Sequence, residues 1–230
     1  NDNSLSSNDV RCITGSEDGN LWIGTFDGGL NRLEPGTGTV KRFLHSEDNS
    51  NTISSNTVFC LTFADTSHLW IGTDDGLNLF NIDNERFTVY TIENGLASNS
   101  IYAIQIDDSG NLWMSSNKGI SKFDPNSLQC RNYDDQDGLQ GSEFNPNAYY
   151  TTSQGEMLFG GIEGYNTFFP ERIKDNEYKP EIIITDFSIL NEKMLPATEN
   201  SPLTKHISGT DTIVLSHKRN TFSFSPSSLS

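Results

Sequence analysis

A Leu-Trp pair that recurs at nearly constant spacing constrains this chain more than any other feature. Leu21-Trp22-Ile23-Gly24-Thr25 returns as Leu69-Trp70-Ile71-Gly72-Thr73 and as Leu112-Trp113-Met114-Ser115-Ser116, with a degenerate copy at Met157-Leu158-Phe159-Gly160-Gly161. The intervals are 48, 43 and 45 residues. Self-similarity at such a period means that one small unit is stacked on itself, because no single copy can bury its apolar surface alone.

The parts of the unit repeat in order. An Asn opens each copy at Asn8, Asn56 and Asn99, and Asn145, one residue closer to its apolar pair, opens the fourth. A strand-like run follows, as in Val58-Phe59-Cys60-Leu61-Thr62-Phe63 or Ile101 to Ile106. Polar turns such as Glu17-Asp18-Gly19-Asn20 and Asp107-Asp108-Ser109-Gly110-Asn111 then lead into the Trp strand. Asp, Gly and Asn between apolar runs are hairpin signals. A Gly before an apolar residue (Gly29, Gly76, Gly119, Gly164) predicts a tight turn with positive φ. Third strands follow at Leu77 to Ile82, Ile120 to Phe123 and Tyr165 to Phe169. Fourth strands ending on an aromatic follow at Val40 to Phe43, Phe87 to Tyr90 and Cys130 to Tyr133.

Four short strands joined by tight turns, in about four tandem copies of roughly 45 residues, describe the blades of a β-propeller. The expected fold class is all-β. Apolar residues on both sides of the first strand (Phe59, Leu61 and Phe63 against Val58 and Cys60) fit a sheet covered by neighbours on both faces. Trp22, Trp70 and Trp113 are expected to fill the gaps between blades. At about 150–250 Å² each and roughly 25 cal/mol per Å², burial contributes at most about 4–6 kcal/mol per Trp. They are structural core.

The expected organisation is a partial propeller over residues 1–172, with repeats at about 1–45, 46–92, 93–133 and 134–172. A linker over 173–179 leads to a second, truncated β region over 180–230. In that region strands are expected at Ile182 to Leu190, Thr212 to Leu215 and Thr221 to Phe224, too few for a whole sandwich. The opening residues Asn1-Asp2-Asn3-Ser4 read as the middle of a loop. No run has the length of a membrane span or the form of a leader, and a fragment of a longer protein is expected. Blade faces left open in such a fragment predict self-association.

With 31 acidic against 15 basic residues, the formal net charge is -16. That charge disfavours nucleic acid and anionic membrane surfaces as partners. The basic trio Lys41, Arg42 and His45 reads as a solvated strand edge. The three cysteines, Cys12, Cys60 and Cys130, have no metal-ligand or redox spacing. Cys12 and Cys60 share a repeat position with Ala103 and Ala148, so they read as small buried hydrophobes. No metal site and no cofactor is expected, since no Asp-rich turn meets the 12-residue calcium pattern.

Acid–base chemistry needs paired carboxylates or a His in a pocket. The histidines His45, His68, His206 and His217 fall at unrelated repeat positions, and most acids sit in turns that the repeat explains. No catalytic residue is assigned. Ligand contacts are sought where the repeat is broken: Glu143, Asn145, Asn147 and Tyr149 lie in the long connection into the last copy. An Asn tying down its own turn is the competing explanation there.

The stretch from Gly95-Leu96-Ala97-Ser98-Asn99 through Asp108-Ser109-Gly110-Asn111-Leu112-Trp113 to Phe123-Asp124-Pro125 resembles the regulator-propeller repeat of hybrid two-component systems. In these systems of Bacteroides-type bacteria, a histidine kinase and a response regulator share one chain. Asp137-Gly138-Leu139 to Asn145, Gly155 to Gly161 and Phe168-Phe169-Pro170 look like that family's last blade. Pro180 to Leu190, Leu215-Ser216-His217 and Asn220 to Phe224 resemble the start of its Ig-like triple-tyrosine-motif domain. The resemblance implies a periplasmic sensor region of a membrane-anchored parent, without catalysis of its own in this segment. It also implies an oligosaccharide ligand and signalling through a dimer. A propeller that only binds proteins is the main alternative, and a propeller-fold lyase or hydrolase a distant one.

Overall fold

The computed structural model describes residues 3–174, 182–198, 201–217 and 221–228. Two units are present, residues 1–173 and 174–230.

The first unit consists of four antiparallel meanders. Blade 1 holds β1 (Val10–Gly15), β2 (Leu21–Thr25), β3 (Leu30–Glu34) and β4 (Thr39–Phe43). Blade 2 holds β5 (Val58–Phe63), β6 (His68–Thr73), β7 (Gly76–Asn81) and β8 (Arg86–Tyr90). Blade 3 holds β9 (Ala103–Ile106), β10 (Leu112–Ser116), β11 (Gly119–Asp124) and β12 (Gln129–Tyr133). Blade 4 has three strands, β13 (Phe144–Thr151), β14 (Met157–Gly161) and β15 (Gly164–Phe168). The architecture is that of propeller blades.

The first strands of the blades lie innermost. β1 packs against β5, β5 against β9, β9 against β13, and β5 also reaches β13 two blades away. Cores form between blades rather than within them. Trp22, from blade 1, is 1% exposed among Ile53, Val58, Leu61, Leu69 and Phe80. Trp70 packs with Ile101, Ile104, Leu112 and Phe123 of blade 3, and Trp113 with Phe144, Met157 and Phe159 of blade 4. Phe168 lies 4.8 Å from the Trp113 ring centroid.

The Gly of the Trp strand is a packing requirement. A Cβ on Gly72 would come within 2.5 Å of Cys60 Sγ and 2.6 Å of the Ile101 carbonyl. Gly24 is crowded in the same way by Cys12 and Val58. That explains the small residues at the Cys12, Cys60, Ala103 and Ala148 position. The turn glycines Gly29, Gly76, Gly119 and Gly164 all have positive φ, from 63° to 139°. Each blade is also keyed to the next through the backbone. Gly29, Gly76 and Gly119 donate N–H bonds to the carbonyls of Asn56, Asn99 and Ser142 at 2.6–2.7 Å.

This last bond corrects the sequence alignment. Ser142, not Asn145, occupies the opening position of the last blade. The reason is a longer insertion at the start of β13. In β1 and β5 the ladder slips by one residue, at Arg11 and Phe59, between Val10 and Cys12 and between Val58 and Cys60. In β13 the slip lies between Phe144 and Tyr149, and Asn145, Pro146 and Asn147 take the place of one bulge residue. The bulge also removes Phe59 from the face assigned to it: Leu61 and Phe63 join the core with blade 1, and Phe59 does not.

In the second unit β16 (Ile182–Ile189) pairs with β17 (Glu192–Lys193) and β18 (Phe222–Ser228). Phe187, Ile189, Leu203 and Ile207 form its core. The strand expected at Thr212 to Leu215 is not formed: among the described residues those positions belong to no ladder, and Ile213 and Leu215 pack against the core instead. Pro180, Asn220 and most of the expected linker (175–179) lie outside the described residues.

Candidate functional site

Propeller blades expose two sets of loops, one at each end of their strands. At the hairpin-turn end of blades 3 and 4 a cleft of about 550 Å³ is lined by Asp107, Asp108, Lys122, Gln154, Met157 and Glu171, among others. Its polar groups serve the fold. Asp107 accepts bonds from the backbone N–H groups of Ser109 (3.0 Å) and Asn111 (2.9 Å), from the Asn111 side-chain amide, and from Trp113 Nε1 at 2.9 Å. Burial works against its charge, but these donors prevail and hold the carboxyl below its usual range. The Lys122 ammonium rests over the Trp113 ring, 5.5 Å from the centroid.

The opposite end of the blades differs. There the first-strand bulges lift side chains out of the ladder, as bulges do at barrel rims and binding sites. In blades 2 and 3 the flanking residues are core: Val58 and Cys60 beside Phe59, and Ile101 and Ala103 beside Tyr102, are all at most 1% exposed. The bulge residues themselves are chemically unlike: Arg11, Phe59 and the Asn145–Asn147 segment; blade 3 instead has Tyr102 just before its first strand, whose ladder begins in register at Ala103. In blade 3 the Tyr102 N–H bonds to the Ser115 carbonyl at 2.9 Å. Phe59 and Tyr102 meet edge to face, with centroids 5.2 Å apart at 86°. Arg11 pairs with Asp9 at 2.9 Å and lies 5.0 Å from the Phe26 centroid.

Three of the four residues singled out from the sequence lie at this end, and one does not. Glu143 is exposed, while its carbonyl accepts the Ile162 N–H at 3.2 Å, as the Asp9 carbonyl accepts that of Phe26 at 2.9 Å. Asn145 and Asn147 are exposed on the bulge, and Asn147 has a φ of 62°. Tyr149 turns inward instead, packing against the cores of blades 2–3 and 3–4. Burial pushes its phenol pKa well up, with Cys60 and Cys12 adding to the effect. Tyr149, the second residue after Asn147, occupies the place of Leu61 after Phe59 and of Ile104 after Tyr102, which is a core position. Alternation alone assigns Phe59 to the core, and so does not single it out as a surface residue. A mismatch between bulge and ladder is invisible without the partner strand.

No group of three or more His, Cys, Asp or Glu side chains that could hold a metal exists among the described residues. Burial drives the Cys12 thiol up to about 12 and that of Cys130 to about 11, and Cys60 is raised as well. Such thiols are poor nucleophiles and poor ligands.

The family model described as two component regulator propeller matches residues 4–27 and 95–118, the first hairpins of blades 1 and 3. Those two stretches are similar to that repeat. The extracellular domain of a hybrid two-component system from Bacteroides thetaiotaomicron superposes with a TM-score of 0.71 at 26% identity, over 98% of this chain and 30% of that one. A second such domain from that organism shares the fold, with a TM-score of 0.58 at 20% identity over 97% of this chain and 42% of the other. Histidine kinase P4 of Formosa agariphila is 37% identical over 91 residues, which is 40% of this chain and 7% of that protein. This chain thus spans less than a third of the length of the first of these structures and a small part of the kinase. It resembles a sensor module. No helix among its described residues is long and apolar enough to cross a membrane.

Proposed function

We propose that this regulator-propeller chain is a periplasmic ligand-sensing module of a hybrid two-component sensor histidine kinase, responding to an oligosaccharide and signalling through a dimer. The observation that carries the reading is the likeness over 98% of the chain to the extracellular domain of such a system. The second unit, with its β17–β16–β18 sheet, is proposed to belong to an Ig-like domain that would relay the response. A rim of exposed aromatic, amide and carboxylate side chains suits a hydroxyl-rich ligand held by a few placed polar groups.

Isothermal calorimetry and thermal unfolding with a panel of polysaccharide fragments test the proposal. Saturable binding of one fragment class with a matching rise in Tm is expected. Absence of any response across the panel, with specific capture of a protein instead, would replace it with the protein-binding reading. The exposed Ile13, Tyr150, Ile162 and Tyr165, each 61–71% accessible, favour that second reading.

A further inference from the structure

We propose that the Phe59–Tyr102 pair is a stacking subsite for a pyranose ring of a neutral oligosaccharide, with Glu143 and the amides of Asn145 and Asn147 bonding to its hydroxyls. The inference rests on the oligosaccharide reading above and adds the residues and the charge class of the ligand.

Three observations carry it. First, neither ring belongs to an inter-blade core, although each is flanked in sequence by residues that do: Val58 and Cys60 for Phe59, Ile101 for Tyr102. Packing therefore does not account for two aromatics at this position. Second, the edge-to-face contact fixes both rings while each stays partly exposed, so little side-chain entropy is lost when a ligand arrives. An aromatic surface complements the C–H face of a pyranose, and its equatorial hydroxyls need acceptors and donors around the edge. Third, the last blade supplies those groups through its enlarged bulge at the same end of the first strands.

Charge selects the class. The Arg11 guanidinium at this end is already matched by Asp9. Glu143 adds negative charge near Tyr102, whose phenol is raised by burial and then by that carboxylate. A net charge of -16 adds long-range repulsion of polyanions. A uronate-rich glycan would meet repulsion with no spare cation in this set.

The test is calorimetry of the purified chain with cello-, manno-, xylo- and laminari-hexaose, with a hexameric oligogalacturonate as the acidic probe. At least one neutral hexaose is expected to bind. Phe59→Leu and Tyr102→Ser should each weaken it by about tenfold or more, a loss of roughly 1.4 kcal/mol. Phe59→Trp should retain binding, and unfolding curves verify that each variant is folded. A neutral binder whose affinity is unchanged in both weakened variants would overturn the subsite and leave the sensor reading standing. Preference for the oligogalacturonate would overturn the charge class. No binding by any probe would overturn the subsite as stated, and the wider panel of fragments then decides the sensor reading separately.

Discussion

Blades 1 and 3 put the same side chain in the same place and treat its polar edge differently. Trp22 and Trp113 are each 1% exposed, and each fills the gap toward the following blade. In blade 3 the indole N–H finds Asp107 at 2.9 Å. In blade 1 the equivalent turn residue is Ser16, whose hydroxyl is engaged with the Asn20 carbonyl at 3.0 Å, and the buried Trp22 Nε1 has no hydrogen-bond partner. Blade 4 resolves the matter a third way, since Thr152 and Leu158 stand where Asp and Trp would be. Blades 1 and 3 therefore share the buried volume, and only blade 3 adds the hydrogen bond. The hydrogen bond is an addition worth about 1–3 kcal/mol when its absence leaves a buried donor unsatisfied.

The largest expected effect comes from removing the shared volume. Trp113→Ala should cost about 3–5 kcal/mol in denaturant unfolding, as large-to-small changes in cores do. Leu158→Ala, at the same position of blade 4 and only partly buried, should cost clearly less. Equal losses would show that the blades do not differ in how they use this position. Next in size is Asp107→Ala, with an expected loss of about 1–3 kcal/mol near neutral pH, because Trp113 Nε1 then becomes an orphan like that of Trp22.

This second effect has a pH signature. The folded-state pKa of Asp107 lies below its ordinary value, so its contribution is full above the unfolded carboxyl pKa of about 3.9 and fades as pH falls through the lower folded value. The difference in Tm between Asp107→Ala and the parent should therefore shrink below about pH 4. A constant difference down to pH 2 would show that the ionised carboxylate is not what matters.

Smallest is the grafting experiment. Ser16→Asp with Asp18→Ser gives the blade 1 turn the polar pattern of Asp107-Asp108-Ser109. It is expected to stabilise the chain by about 1 kcal/mol by giving Trp22 an acceptor, measured as a shift in urea midpoint at constant slope. No gain would mean that the two turns differ in more than this pair.

Much of the architecture was legible because period and turn chemistry are local properties of a chain. The Leu-Trp spacing, the turn glycines with positive φ and the small residues at the Cys12 and Cys60 position all follow from short-range pattern, and each maps onto a blade. Pairing is what a single strand does not encode. Residues in a strand alternate until a bulge intervenes, and a bulge is defined only against its partner. Three residues in place of one in β13 moved the blade opener to Ser142, turned Tyr149 into the core and left Asn145 and Asn147 outside, while the bulge in β5 set Phe59 beside Tyr102. Side chains contributed by separate blades, such as Phe59 and Tyr102, 43 positions apart in the chain, meet only once the sheets have packed around their common axis.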